Sequence, residues 1–349
     1  MRALAKKIGE AGWTRGRRLL LRALGLPLAY LLGRVACFTN TGLGAAIVYH
    51  RVGDPPGDPR RQLVPALGTK LFAAQVEHLA SRYRLVVASE LVGATRVRRR
   101  GERFPVAITF DDDLSSHLET AAPILVSAGA TATFFVSGAS LRSPYRFWWE
   151  RLQAALDDNL DLSTLGLHPP PTKRTIHEVG TRIQNLPARS RDELDARLAQ
   201  LAGPDPQESG LRADALRRLA ASGLEIGFHT RRHDLLTALG DEELAEAVRV
   251  GRSELEDVVG RLRTISYPHG SADARVAGAA RAAGFESGFT GLPGAVARAS
   301  DPLLLGRLSP SYTSVGELAF DVAWTLCRAA FTDRARAKWA RRGRRASAG

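Results

Sequence analysis

Short apolar runs alternate with amphipathic stretches along most of the chain. Residues 45–50 form an apolar run between a pair of glycines and a turn rich in Gly and Pro, which predicts a buried strand. Similar runs predict strands at residues 84–87, 106–110, 132–136, 224–228, 264–267 and 285–290. Helical periodicity fills residues 71–79, 88–92, 118–128, 241–259 and 272–283. Strands that alternate with helices in this way predict an α/β fold with a parallel sheet.

The alternation breaks at residues 141–222. This segment contains helical stretches rich in Arg, Asp, Leu and Ala, together with the aromatic residues Tyr145, Phe147, Trp148 and Trp149. We predict a helical insertion carried on a loop of the sheet. The aromatic residues either form a lip on which a sugar ring stacks or are the core stripe of a helix.

The N-terminal segment is unusually apolar at residues 19–38. Arg22, Gly25, Pro27 and Arg34 argue against a free-standing membrane span, since a charge at the centre of such a helix costs about 2.5–3.5 kcal/mol. No Ala-x-Ala cleavage site directly follows the apolar run, so a signal peptide is not indicated. We expect a partly amphipathic helix that lies on a membrane surface or packs on the protein. The expected location is the cytoplasm or the inner face of the cell membrane.

The chain is strongly basic. Lys+Arg 49 against Asp+Glu 36 gives a formal net charge of +13, and much of the excess lies in residues 15–22, 96–100 and 334–345. This distribution indicates an anionic partner, and we expect peripheral contact with an anionic membrane through the basic termini. Aromatic and basic residues are not periodically interleaved, so no specific nucleic-acid partner is expected. Two cysteines are too few for a disulfide framework, which favours a reduced compartment.

Two groups of polar residues follow predicted strands. Asp111, Asp112 and Asp113 are adjacent carboxylates that repel one another, and either a cation relieves the repulsion or the turn is solvated and caps a helix. His229 and His233 are four residues apart and share one face if the chain turns helically there. They are structural, or they combine with a carboxylate in an open divalent-metal site. The residues between the two histidines include no carboxylate that could act as a base, so a carboxylate next to the metal ligand would have that role.

These two motifs resemble those of a known family. Thr109-Phe110-Asp111-Asp112 and His229-Thr230-x-x-His233 are similar to motifs of the polysaccharide deacetylase family, the NodB homology domain of carbohydrate esterase family 4. The resemblance implies a distorted, TIM-like (β/α) barrel of seven or eight units over residues 45–312, interrupted by the helical insertion at about 141–222. Basic helical segments at residues 1–44 and 313–349 would flank this domain.

The resemblance also implies roles for individual residues. Asp111 would be the general base, while Asp112, His229 and His233 would hold one divalent metal ion. Imidazole ligands favour zinc, with cobalt, nickel or manganese as alternatives. The backbone N–H of His269 would help to bind the oxyanion.

The sequence departs from the family pattern in three places. Asp113 replaces the usual Gly of the first motif, and the stretch from Ser266 to Gly270 lacks the usual arginine of the third. Arg307 could reach the site from a later strand and orient the base, or could form a surface salt bridge. The late histidine that often acts as general acid is missing, and His50 is the candidate, because members with an early YHxxx strand are the most similar. His50 could instead cap a loop, and His269 is the other candidate acid.

The resemblance implies a hydrolase of carbon–nitrogen bonds in linear amides that removes the N-acetyl group from an N-acetylhexosamine in a glycan or glycan precursor. An O-acetyl carbohydrate esterase and a non-catalytic, membrane-attached glycan-binding relative are the alternatives. In each case the expected partner is an acetylated carbohydrate.

Overall fold

A curled, mainly parallel sheet forms the centre of the protein. The structure, a computed structural model, describes residues 2–39, 41–54, 57–166 and 175–346. The strands run in the order β7-β6-β5-β4-β3-β1-β8, with β2 beside the first half of β3 and only β8 antiparallel to its neighbour. The bounds are β1 Leu43–Tyr49, β2 Arg84–Leu85, β3 Pro105–Asp111, β4 Thr133–Val136, β5 Glu225–Phe228, β6 Thr264–Ser266, β7 Ser287–Phe289 and β8 Val296–Ala297.

An irregular segment closes the curled sheet. Leu305 bridges to Phe289 of β7, and Leu308 bridges to Ile47 of β1, both in parallel orientation. Backbone hydrogen bonds on both sides of the segment hold these contacts at 2.8–2.9 Å. The two outer strands of the parallel part of the sheet, β7 and β1, are thereby joined, and the predicted distorted (β/α) barrel is confirmed.

The strands are buried on both faces, which explains their continuous apolar runs. All seven residues of β1 and all seven of β3 are buried. Phe110 stacks on Phe134 with ring centroids 4.5 Å apart, and Tyr49 stacks on Phe110 from the other side at 5.5 Å. Parallel strands that are covered on both sides have no face in contact with water, so their sequences do not alternate between apolar and polar residues.

The helices surround this sheet. Their bounds are α1 Arg2–Cys37, α2 Thr69–Arg82, α3 Ala88–Val97, α4 Ala122–Ser127, α5 Trp148–Asp157, α6 Ile176–Gln184, α7 Ala188–Ala202, α8 Ala213–Ala221, α9 Asp241–Ala247, α10 Arg252–Val259, α11 Ala274–Ala282 and α12 Val315–Ala346. The prediction of one helix at residues 241–259 is wrong. Helix α9 ends at Ala247, and after a turn Gly251, whose φ of +81° is left-handed, precedes the first residue of α10. The helix expected at residues 118–128 begins as a π-helical turn before α4.

Helices α5, α6 and α7 form a small separate core. Phe147, Trp148 and Trp149 are buried there, and Leu152 and Ile183 pack with them. The aromatic residues are therefore mainly the core stripe of α5, although Trp148 and Trp149 also line the large cavity described below.

The two terminal helices pack against each other. A side chain at Gly25 of α1 would overlap the backbone of Gly316 of α12, so the two helices are in close contact there. Leu21 and Ala29 are also buried on α1. In turn, α12 packs on α2 and β1. By length and composition alone, Gly16–Cys37 could cross a membrane, but core helices pass the same test.

Candidate active site

Every candidate residue lies beyond the carboxyl end of a strand or on the closing segment. Asp111 ends β3 and His229 follows β5, while His50 follows β1 and His269 follows β6. Together with Arg307 they line one cavity of about 400 Å³. The carboxyl ends of parallel strands meet at the same edge of a barrel, and this explains how residues more than a hundred positions apart come together.

Asp112, His229 and His233 converge on one point. Asp112 Oδ1 lies 3.6 Å from His229 Nε2 and 3.5 Å from His233 Nε2. Asp112 Oδ1 is buried without a hydrogen-bond partner among the described residues. His229 Nδ1 donates to the Ser266 carbonyl at 2.8 Å, so its Nε2 faces Asp112 unprotonated. One carboxylate and two imidazoles are a donor set that suits a divalent cation, and this geometry fits one.

The two histidines converge without the helical turn on which the argument from their spacing depended. Thr230 and His233 have φ values of +55° and +52°, and no helix covers residues 229–233. Asp112 at +76° and His269 at +59° are also left-handed, which makes four of the five such non-glycine residues in the described chain. These conformations are unfavourable for residues with a side chain, and their concentration here is typical of a functional site.

Burial and like charges shift the ionisation of Asp112 and His233. Burial, followed by the negative charges of Asp111 and Glu150, raises the pKa of Asp112 well above its ordinary value. Burial, followed by His269 and His229, lowers the pKa of His233 well below its ordinary value. A cation at the point of convergence would relieve both the carboxylate repulsion and the desolvation of Asp112.

Arg307 holds Asp111 on both oxygens. Its two terminal nitrogens donate to Asp111 Oδ1 and Oδ2 at 2.7 Å each, and Ser266 Oγ donates to Oδ2 at 3.0 Å. Arg307 is 2% exposed, so a surface salt bridge is excluded. Burial alone would raise the pKa of Asp111, but the charge of Arg307, then that of His229, lowers it below the ordinary value. The carboxylate is therefore ionised and fixed in orientation.

Asp113 connects the first motif to the insertion. Its carboxylate accepts hydrogen bonds from the backbone N–H of Ser137 at 2.6 Å and from the hydroxyls of Ser137 and Ser140 at 2.9 and 3.1 Å. Ser140 Oγ also accepts from the backbone of Leu211, where the chain returns from the insertion, at 2.8 Å. All three adjacent aspartates are 3–4% exposed, so the solvated acidic turn is excluded.

The two candidate acids both lie in the cavity wall. Burial lowers the pKa of His50 to about 4, against the opposing effect of Asp111. The backbone carbonyl of His50 bonds to His117 Nε2 at 3.3 Å, which fixes the end of β1. The ring of His269 lies 4.5 Å from that of His233, between centroids, and burial lowers its pKa to about 4 as well.

The insertion supplies further parts of the site. The ring of Trp149, one of the aromatic residues considered as a sugar-stacking lip, lies 4.8 Å from that of His233. Sequence reasoning missed the buried Arg191 of α7, which pairs with Asp234. The cavity is also lined by His177, Gly180, Thr181 and Gln184 of α6. No spacing in the sequence marks these residues, because their positions depend on how the insertion folds back over the barrel.

Comparisons with known proteins agree with the fold and identify the family. A family model described as polysaccharide deacetylase matches residues 98–288, more than half of the chain. The chain belongs to the polysaccharide deacetylase family, whose members are hydrolases and, in carbohydrate esterase family 4, generally use a divalent metal ion. No curated protein matches the sequence significantly.

Several solved structures share the fold. The deacetylase PplD of Streptococcus pyogenes, solved with acetate, is 16% identical with a TM-score of 0.56, over 80% of this chain and 98% of that one. A polysaccharide deacetylase from Bacillus cereus is 16% identical with a TM-score of 0.54, over 80% of this chain and 69% of that one. IcaB from Ammonifex degensii is 19% identical with a TM-score of 0.52, over 80% and 97%.

Proposed function

We propose that this protein hydrolyses the N-acetyl group of an N-acetylhexosamine in a glycan or glycan precursor. Asp112, His229 and His233 hold one divalent cation, and Asp111 is the general base. One observation carries the proposal: three ligand atoms converge within 4.8 Å of one another, while the adjacent Asp111 is held apart from them by Arg307. A separate carboxylate next to a metal-binding group is what hydrolysis by an activated water requires.

The cation contributes positive charge. When bound, it would polarise the acetyl carbonyl and make water more acidic. Zinc is the ion that we propose, since imidazoles favour late divalent ions, and cobalt, nickel and manganese are alternatives with similar ligands.

Asp111 is placed to take a proton from water. Its Oδ1 accepts one hydrogen bond among the described contacts, from Arg307, so a lone pair remains available. Arg307 and Ser266 prevent rotation of the carboxylate. As the proton moves to Asp111, the water oxygen bonds to the acetyl carbon and a negative charge develops on the acetyl oxygen.

The remaining groups act on that charge and on the leaving amine. The backbone N–H of His269 makes no backbone hydrogen bond in the described chain, and it is available to the acetyl oxygen. The neutral ring of His50 first takes up a proton, equivalent to the one that Asp111 receives from water, and then donates it to the departing nitrogen. The carbon–nitrogen bond breaks, and acetate and a free amine are released. His269 is the alternative donor, because its ring lies beside the same group of side chains.

The lining of the cavity supports the proposed substrate class. Trp148 and Trp149 contribute aromatic surface, and pyranose rings stack on such surfaces, while His177, Thr181 and Gln184 of α6 offer polar groups. The volume of about 400 Å³ accommodates a small part of a glycan.

Acetate release tests the proposal. The purified protein is incubated with chito-oligosaccharides, lipid-linked N-acetylhexosamines and acetylxylan, with zinc added or chelated. We expect zinc-dependent acetate release from an N-acetylated substrate, with loss of turnover in Asp111→Asn. Release from acetylxylan alone would make the protein an O-acetyl esterase. Glycan binding without any acetate release would contradict the hydrolase and support a non-catalytic relative.

A further inference from the structure

The outward face of α1 is an exposed apolar surface. The structure describes sixteen large apolar side chains as exposed, and eight of them lie within residues 19–38. They are Leu19, Leu20, Leu24, Leu26, Tyr30, Leu31, Val35 and Phe38. Isolated exposed apolar residues are ordinary in soluble proteins, but this concentration on one helix is a contiguous patch of the kind that binds a partner.

The patch is the side of α1 that faces away from the protein. The buried residues Leu21, Gly25, Ala29 and Ala36 recur at intervals of four and seven, which places them on one helical face against α12. The exposed leucines, Val35 and Phe38 occupy the opposite side. Both faces of α1 are therefore apolar, but the protein covers only the face that packs against α12.

Arginines border and interrupt the patch. The guanidinium of Arg34 lies 6.0 Å from the ring centre of Tyr30 and 5.7 Å from that of Phe38. Arg82 of α2 lies 5.2 Å from the Tyr30 ring, and Arg100 lies 6.0 Å from the Phe38 ring. Exposed aromatic rings beside arginines suit the boundary between lipid headgroups and acyl chains. The side chains of Arg15 and of residues 333–349 lie outside the described part, so the basic tail adds nothing to this geometry.

We propose that α1 docks through this face on the surface of an anionic lipid bilayer, lying in the plane of the headgroups. Two features of the surface favour an anionic bilayer as the partner. The patch is apolar and suits acyl chains, while the arginines beside it and the net charge of +13 suit anionic headgroups.

The contacts of α1 with the barrel favour docking over crossing. Arg17 pairs with Asp321 at 2.5 Å, and α12, which carries Asp321, packs on β1 and α2. A crossing helix would have to leave α12 or take this ion pair into the hydrocarbon, and it would also place Arg22 and Arg34 there. A helix in the headgroup plane keeps every one of these contacts.

Vesicle flotation of the full chain tests the proposal. Wild-type protein is mixed with vesicles of phosphatidylcholine containing phosphatidylglycerol, or of phosphatidylcholine alone. Leu24→Gln/Leu31→Gln changes two exposed residues of the patch, and Val126→Gln/Leu292→Gln changes two equally exposed residues elsewhere. Thermal denaturation checks that both variants remain folded.

We expect the wild type and the control variant to float with the anionic vesicles, and the patch variant to lose about tenfold in partitioning. Equal flotation of the patch variant, or wild-type protein that stays in the soluble fraction, would overturn the proposal. Equal binding to phosphatidylcholine alone would refute the anionic preference. Resistance to alkaline carbonate would show that the helix crosses the bilayer. Light scattering without vesicles should report a monomer, and a dimer that the patch variant abolishes would assign the face to a second copy.

Discussion

Replacing Arg307 by Met removes the partner of a buried carboxylate while keeping most of the side-chain volume. Asp111 is 4% exposed, and in the variant its charge would remain in the barrel with only Ser266 Oγ to satisfy it. Breaking a buried ion pair in this way costs about 3–5 kcal/mol. The entropy of unfolding is about 2.1 cal/mol/K per residue. For 349 residues, each kcal/mol then corresponds to roughly 1.4 °C, and we expect Tm to fall by about 4–7 °C.

A double-mutant cycle separates the ion pair from other effects of the substitution. Asp111→Asn leaves Arg307 buried without its charged partner and should cost a similar amount, about 3–5 kcal/mol. The double variant has no buried charge at this position, so its loss should be about 3 kcal/mol or more below the sum of the single losses. Denaturant unfolding of the four proteins, followed by circular dichroism, measures the coupling.

Arg263→Met is the matched control. Arg263 pairs with Glu286 at 2.7 Å, the same distance as the Arg307–Asp111 pair, but both partners are substantially exposed. Exposed pairs contribute about 0–1 kcal/mol, so this variant should unfold almost like the wild type. If the losses of the two buried variants are additive within about 0.5 kcal/mol, or if Arg263→Met costs as much as Arg307→Met, the reasoning on Asp111 is refuted.

Four further outcomes are expected. Asp112→Asn should lose both zinc binding, measured by calorimetry, and acetate release, and tight binding by this variant would contradict its role as a ligand. His50→Ala should lower kcat about 10²-fold or more with little change in KM, while an unchanged kcat would transfer the acid role to His269. Asp113→Ala should destabilise the protein by about 1–3 kcal/mol in denaturant, and a neutral effect would show that the bonds to Ser137 contribute nothing. Arg151→Met removes the guanidinium that Asp195 and Asp205 share, although Asp205 keeps its pair with Arg146, and it raises the folded-state pKa values of both carboxylates, so this variant should recover stability relative to the wild type as pH falls below about 5; a constant difference in Tm from pH 7 to 4 would contradict this.

Most of the barrel could be predicted from the sequence because its strands are buried on both faces. The runs at residues 45–50 and 106–110 are apolar except for His50 and Thr109, and β1 and β3 occupy them to within two residues. The closing segment at Leu305 and Leu308 was expected as a later strand that carries Arg307, but its pairing is limited to isolated bridges with β7 and β1. Residues 241–259 have continuous helical periodicity, but a turn at residues 248–251 that includes the left-handed Gly251 divides them.

The site was predictable where residues follow a strand directly. Asp111, Asp112 and His229 occupy strand ends, and the topology of a parallel barrel brings such ends together. The left-handed backbone conformation of Thr230 and His233 was not predictable from the sequence. Residues other than glycine rarely adopt this conformation, and they keep it only where tertiary contacts stabilise it. The contributions of the insertion depend on long-range packing, as in the contact of Trp149 with His233.

Anomalous diffraction at the zinc edge, from crystals of the zinc-loaded protein, tests the central claim most directly. We predict a single strong peak at about 2.0–2.2 Å from Asp112, His229 and His233, with Asp111 still held by Arg307 and outside coordination distance. A peak bound to Asp111, or a peak elsewhere with none between the two histidines, would contradict the proposed metal centre and the separate base.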